Sequence, residues 1–241
     1  MRPARVLKAI LLLALLAGAT LAFLAWARRH PEDLPWTKLD LTRPIGAFTG
    51  RKLAGLAGDG DLCRSLLARA GVRFTALPPR SAGACSHQDA VRIERGGALQ
   101  TGWRPDSPGM SCPVAAALAL WEWHVVQPAA LEHFGRPVEA IDHLGTYSCR
   151  RLYGRDEGPW SEHATANAID VSGFRIAGGT RVSVLDDWDD EGARGAFLKQ
   201  VRDGACALFA TTLSPGYNRA HADHFHLDQA ARGEWGGRMC R

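Results

Sequence analysis

The sequence predicts an α+β fold: a small antiparallel sheet carrying a His/Asp metal site, flanked by helices and stapled by disulfides. Three observations predict it. Helical patterns dominate the early chain, whereas strand patterns gather around the histidine-bearing segments. Six cysteines are dispersed along the chain behind an apolar N-terminal run. The stretch "NRAHADHFHLD", residues 218–228, places His221, His224 and His226 within six positions, although the chain holds only nine histidines. With 241 residues, 46% of them hydrophobic and 22% charged, the chain can bury the core of one large domain and carry attachments.

The first element is a membrane segment, residues 1–29. "MRPARVLK" is basic, and residues 9–27 are nineteen positions without a charge. At about 1.5 Å rise per residue, that run just crosses a hydrocarbon core of roughly 30 Å. A cleaved secretory signal is the competing reading, with "AWA" at 25–27 as a weak cleavage site. The length favours a single-pass anchor, and three positives before the run against two after it place the N-terminus inside. Either way the remaining domain is exported, to the periplasm or otherwise outside the cytoplasm.

Residues 30–58 carry several prolines among scattered polar residues, which predicts an extended juxtamembrane linker. The domain proper is then 59–241. "GDLCRSLLARAG" predicts a short helix with Leu62, Leu66 and Leu67 on one side and Gly71 as its stop. "VRFTALPP" and "DAVRIERG" read as strands. The strongest helical pattern is 112–135, broken or kinked at Pro128 and closed by Gly135. Its Trp121 and Trp123 read as core rather than as a sugar platform. A further helix spans roughly 191–210, with Phe197, Val201, Ala205, Leu208 and Phe209 at helical spacing.

Charge and cysteine usage narrow the function classes. The net charge of +4 is carried by Arg2, Arg5, Lys8, Arg28 and Arg29; without these five the rest of the chain stands at −1. A near-neutral domain offers no footprint for nucleic acid. No C-x-x-C pair occurs among Cys63, Cys85, Cys112, Cys149, Cys206 and Cys240. In an exported chain they read as up to three disulfides, with the pairing left open. That also removes Cys149 as a nucleophile.

The chemistry gathers in two segments. "WSEHATANAIDVSGF", residues 160–174, places Asp170 seven positions after His163, within a strand pattern of apolar neighbours. A buried aspartate needs a strong partner, and a metal ion is one. "HFHLD" alternates, so His224 and His226 share one strand face and Phe225 takes the other. One of these two histidines, with His163 and Asp170, makes a set of two imidazoles and one carboxylate that binds zinc and leaves a position for water. The other histidine then serves as a base, and His221 orients either partner.

These residues resemble a known family. His-x6-Asp in a Ser-Glu-His setting, followed by a late His-x-His strand, is similar to the zinc peptidases of the LAS group, which includes D-Ala-D-Ala carboxypeptidases and murein endopeptidases. Residues from about 34 to 229 resemble more closely the bacterial extensin-like C-terminal domain family. The shared stretches are "LPWTKLDL", "PIGAFTG", "GTYSCR", "SEHATANAIDVSGF" and "PGYNRAHADHFHLD". The resemblance implies Zn2+ on His163, Asp170 and His226, with His224 and His221 matching the accompanying histidines. "YSCR" is similar to a Tyr-Arg-Ser stretch of the carboxypeptidases, which implies that Arg150 binds a substrate carboxylate or polarises the scissile carbonyl. The carboxypeptidases place a glutamate before the last ligand; here Asp223 and His224 stand there, which points to the endopeptidase-like arrangement. The implied function is a zinc-dependent peptidase acting on peptidoglycan peptides. The alternative is a non-catalytic envelope module that keeps the fold and binds.

Overall fold

The computed structural model describes residues 3–233 and 237–241. Helix α1, Pro3–Arg29, has a mean hydropathy of 2.4 over its apolar window and no buried residue, so it is long and apolar enough to span a membrane. A signal sequence would meet the same description.

The segment expected to be a linker is packed instead. Leu34, Leu41, Leu53 and Leu56 are all buried, and α2 (Thr49–Ala54) lies within it. Leu41, Leu53 and Leu56 join the main core, which therefore starts well before residue 59. Helix α3, Gly60–Arg69, starts at Asp59, whose side chain accepts the Leu62 N–H at 3.0 Å. Cys63, Leu66 and Leu67 face inward, whereas Leu62 is 44% exposed. The inward face is the one carrying the Cys63–Cys112 disulfide to α4. Gly71 ends the helix region with φ +76, as expected of a stop.

Strands β1 (Val72–Ala76), β2 (Val91–Gly97), β3 (Gly102–Arg104) and β4 (Gly109–Met110) follow. β1, β2 and β4 form an antiparallel three-stranded sheet. Helix α4, Cys112–Trp121, is buried along its whole length. A π-helical turn, Glu122–Val126, joins it to α5, Gln127–Phe134. The Gln127 N–H bonds to the Glu122 carbonyl, five residues back. That wider turn takes up Pro128, which lacks an N–H and crowds the preceding turn. Gly135 closes α5 in the left-handed region. Trp121 donates its indole N–H to the Val201 carbonyl at 2.8 Å, and Trp123 to Ala98 at 2.9 Å, so both are structural.

The remaining strands are β5 (Val138–Gly145), β6 (Ala168–Ile176), β7 (Arg181–Ser183), β8 (Thr211–Leu213), β9 (Phe225–Asp228) and β10 (Met239–Cys240). Helices α6 (Val184–Asp187) and α7 (Ala193–Ala205) lie between β7 and β8. The second sheet has seven strands, ordered β10-β8-β9-β6-β5-β3, with β7 beside β6. The expectation of one small antiparallel sheet is corrected on two counts. There are two sheets, and the larger is mixed, because β3 pairs with β5 and β10 with β8 in parallel.

One face of this sheet meets the core, where Trp121, Phe174, Phe197 and Phe209 pack edge to face or tilted. The strand alternation sends the polar residues of β6 and β9 to the other face. Three disulfides form: Cys63–Cys112, Cys85–Cys149 and Cys206–Cys240. Cys149 is thus bonded, as expected.

Candidate metal centre

Strand register assembles the first half of the centre. β6 and β9 are antiparallel, with Asp170 directly opposite His226 and Ala168 opposite Asp228. Phe225 and Leu227 alternate into the core at 0% exposure. A one-residue slip would turn Asp170 or His226 inward, so burying Phe225 and Leu227 fixes the polar face as well. His163 arrives from a 3-10 turn, Glu162–Thr165, just before β6. Ser161 caps that turn, its Oγ accepting the His163 N–H at 3.3 Å.

The three side chains converge. His163 Nε2 lies 3.1 Å from Asp170 Oδ1 and 3.2 Å from His226 Nδ1, and His226 Nδ1 lies 3.0 Å from Asp170 Oδ1. They form one of two potential metal-holding groups among the described residues; the other, His30, Glu32 and Asp33, includes an exposed histidine. Donor atoms on a tetrahedral ion with bonds of about 2.0–2.1 Å stand roughly 3.3 Å apart, close to this spacing.

The partners behind the ligands settle what the inward atoms are. His163 Nδ1 is 3.0 Å from the Thr146 carbonyl, which only accepts, so Nδ1 carries the hydrogen and Nε2 presents a lone pair. His226 Nε2 is 3.1 Å from Asp228 Oδ2, so its hydrogen points there and Nδ1 faces inward as an acceptor. Asp170 adds carboxylate oxygens. Three acceptors face one another in a buried place, and a cation has to lie among them.

Without a metal that cation is a proton. Burial alone would lower the pKa of His226, but its hydrogen bonds to Asp170 and Asp228 raise it to about 9. Burial would raise the Asp170 carboxyl, yet the His163 and His226 rings against it, with the proton they share, hold it well below the usual carboxylate range. A divalent ion supplies the same compensation through the same lone pairs. The residues present therefore fit a metal ion of the kind that takes imidazole and carboxylate ligands.

The flanking histidines divide differently from expectation. His224 sits just before β9, with Nε2 3.6 Å from Asp170 Oδ1. Its Nδ1 donates to Asp223 Oδ1 at 2.7 Å, which directs the Nε2 lone pair toward the centre. His221 lines the cleft and reaches His224 and His226 by ring packing rather than by a hydrogen bond. Its Nδ1 donates to Asn218 Oδ1 at 2.8 Å, and its ring lies 5.2 Å from that of His224. Burial, then the charges of His224 and His226, lowers the His221 pKa to about 4, so it stays neutral.

Arg150 lines the same cleft, a space of about 340 Å³ that also exposes His163, Asp170, His224 and His226. Among the described residues it forms no ion pair, so its guanidinium is free in the wall. Tyr153 stands beside it, 53% exposed and at φ +58, a conformation that costs a non-glycine residue energy. Its Oη accepts from Asn218 Nδ2 at 3.3 Å, which links it through one amide to His221. The residues singled out by type and spacing, His163, Asp170, His226, His224, His221 and Arg150, all line one cleft. Type and spacing missed Asp228, Thr146 and Tyr153. The alternation that pairs His224 with His226 continues to Asp228, so that residue was within reach; a backbone carbonyl and a strained tyrosine leave no such pattern.

No curated protein and no solved structure matches the chain. A family model described as "Extensin-like protein C-terminus" matches residues 61–241, and the chain belongs to that family.

Proposed function

We propose that the chain is a zinc-dependent peptidase of the cell envelope, related to the LAS group, that hydrolyses amide bonds in the peptides of peptidoglycan. In this reading α1 is an anchor in the cell membrane and the domain lies outside the cytoplasm. The observation that supports it most is the convergence of the Asp170 carboxylate with two imidazoles whose outward hydrogen bonds leave their inner lone pairs facing it.

His163, Asp170 and His226 would hold the ion. When bound, zinc supplies a Lewis acid that polarises a carbonyl and makes water nucleophilic at neutral pH. His224 accepts the water's proton at Nε2 and later gives it to the leaving amine. Asp223 keeps that ring in the required tautomer through the 2.7 Å hydrogen bond. Arg150 binds a carboxylate of the peptide or polarises the scissile carbonyl from the wall. Tyr153 is held out into the cleft by Asn218 and contacts the same substrate.

The test is digestion of purified muropeptides by the full-length protein loaded with zinc. Expected is cleavage that a chelator abolishes and that His224→Ala slows by about 10²–10⁴-fold while zinc stays bound. About one zinc per chain without turnover would leave a binding module. No zinc at all would sink the hydrolase reading.

A further inference from the structure

The packed domain begins almost where the apolar helix ends. Only His30 separates Arg29, the last residue of α1, from Pro31. The Pro31 and Glu32 carbonyls accept from Lys52 Nζ at 3.2 and 3.5 Å, and Lys52 Nζ also donates to Thr37 Oγ1 at 2.8 Å. Asp33 Oδ1 accepts the Ala47 N–H at 2.8 Å. Leu34 and Leu41 are buried. Residues 31–41 are therefore tied into the domain, and no slack chain lies between it and α1.

That segment carries the most exposed large hydrophobic side chain among the described residues, Trp36 at 71%. A single exposed apolar residue is ordinary. A tryptophan seven positions past a bilayer-length helix is different, because its ring favours the headgroup layer over water and over hydrocarbon. Next to it in sequence, Thr37 and Lys38 line a recess of about 490 Å³, which Arg43 and Arg69 also border. Among the described residues Lys38, Arg43 and Arg69 form no ion pair. Two carboxylates border the recess. Asp40 Oδ1 is engaged by the Thr42 N–H at 3.0 Å and hydroxyl at 2.7 Å, and Glu32 lies against His30 at 3.3 Å.

We propose that this face docks on the bilayer surface, with Trp36 in the headgroup layer and Lys38, Arg43 and Arg69 around the headgroup of an anionic phospholipid. The proposal rests on α1 remaining in the chain as an anchor. Continuity selects the partner: a domain that starts one residue after a spanning helix has this segment at the membrane whatever else it binds. Basic side chains at that level are drawn to anionic lipid.

The experiment places the full-length protein in vesicles rich in phosphatidylglycerol and in vesicles of phosphatidylcholine. Each set is made with and without acyl chains brominated near the headgroups, and tryptophan quenching is read. Trp36→Phe, Trp26→Phe and a Lys38→Ser, Arg43→Ser, Arg69→Ser variant are compared with wild type. Expected in anionic vesicles is a quenched component that Trp36→Phe removes and that the triple variant and phosphatidylcholine lose. Equal quenching of wild type and Trp36→Phe would overturn the docking. Equal quenching of Trp36 in both lipids would overturn the headgroup role of the cations. Trp26 lies within α1, so a protein of full mass whose quenching falls on Trp26→Phe keeps the anchor reading whatever Trp36 does. A shortened chain with no Trp26 component would remove the anchor reading itself.

Discussion

Asp142 and Asp170 lie on adjacent strands of one sheet, and both are largely shielded from water. Their surroundings differ. Asp142 has its own cations: Arg175 Nε at 2.9 Å and Arg181 Nε at 3.4 Å. Asp170 faces two imidazoles whose hydrogens are committed elsewhere. The first carboxylate is neutralised by the chain and has no further need. The second is neutralised only by something that comes from outside, whether proton or metal. An acid buried among lone pairs is the stronger sign of a site than an acid buried among arginines.

The largest effect expected from this contrast is on metal content. Wild type should hold about one zinc per chain by elemental analysis, and His163→Ala, Asp170→Ala should hold none, with all hydrolysis lost. Asp142→Ala should keep its zinc. Loss of zinc from both variants would erase the distinction between the two aspartates.

Next comes the metal-free protein. His226 has its pKa raised from 6.5 to about 9 in the empty site. A raised value contributes stability that is present in full below pH 6.5 and is lost as pH rises through about 9. The loss is on the order of 3 kcal/mol. Added zinc should therefore raise the Tm of chelator-treated protein more at pH 9 than at pH 6. An increment that does not depend on pH would mean that His226 carries no extra proton when the site is empty.

Asp228→Asn tests the partner behind the ligand. Zinc affinity, read by competition with a coloured chelator, should weaken about 10–100-fold. Unchanged affinity would reduce Asp228 to a bystander.

The smallest effect belongs to Asp142→Asn. Arg175 and Arg181 are 38% and 54% exposed, so solvent screens the pairs and the stability lost should be about 1 kcal/mol. A denaturant midpoint measures it. A loss several times larger would show that the arginines are as dependent on Asp142 as the histidines are on Asp170.

The site was more legible in the sequence than the domain's edges, for a physical reason. His163, Asp170 and His226 sit in short segments with regular alternation, and alternation is local. Leu41, Leu53 and Leu56 are single apolar residues among prolines and glycines, and nothing local shows that they are buried; only tertiary contacts do. Hence residues 30–58 read as a linker and fold as part of the core. The same reason hid β3 and β10, which have three and two residues and show no period. Leu62 was placed on the wrong side of α3 because a run of leucines is the louder signal. The quieter one, Cys63, turns inward because its disulfide partner lies on α4.

The Cys85–Cys149 bond is the feature with the longest reach. Strand pairing brings Asp170 to His226 and the turn Glu162–Thr165 adds His163, whereas the segment bearing Arg150 and Tyr153 is also fastened to Cys85 by an oxidation spanning 64 residues. Ligand cluster and cleft wall are thus completed by two different kinds of chemistry. A newly made chain, still reduced, would own the first without the second. The oxidant that closes this bond therefore acts as a timer on maturation, because the wall is finished only once the bond has formed.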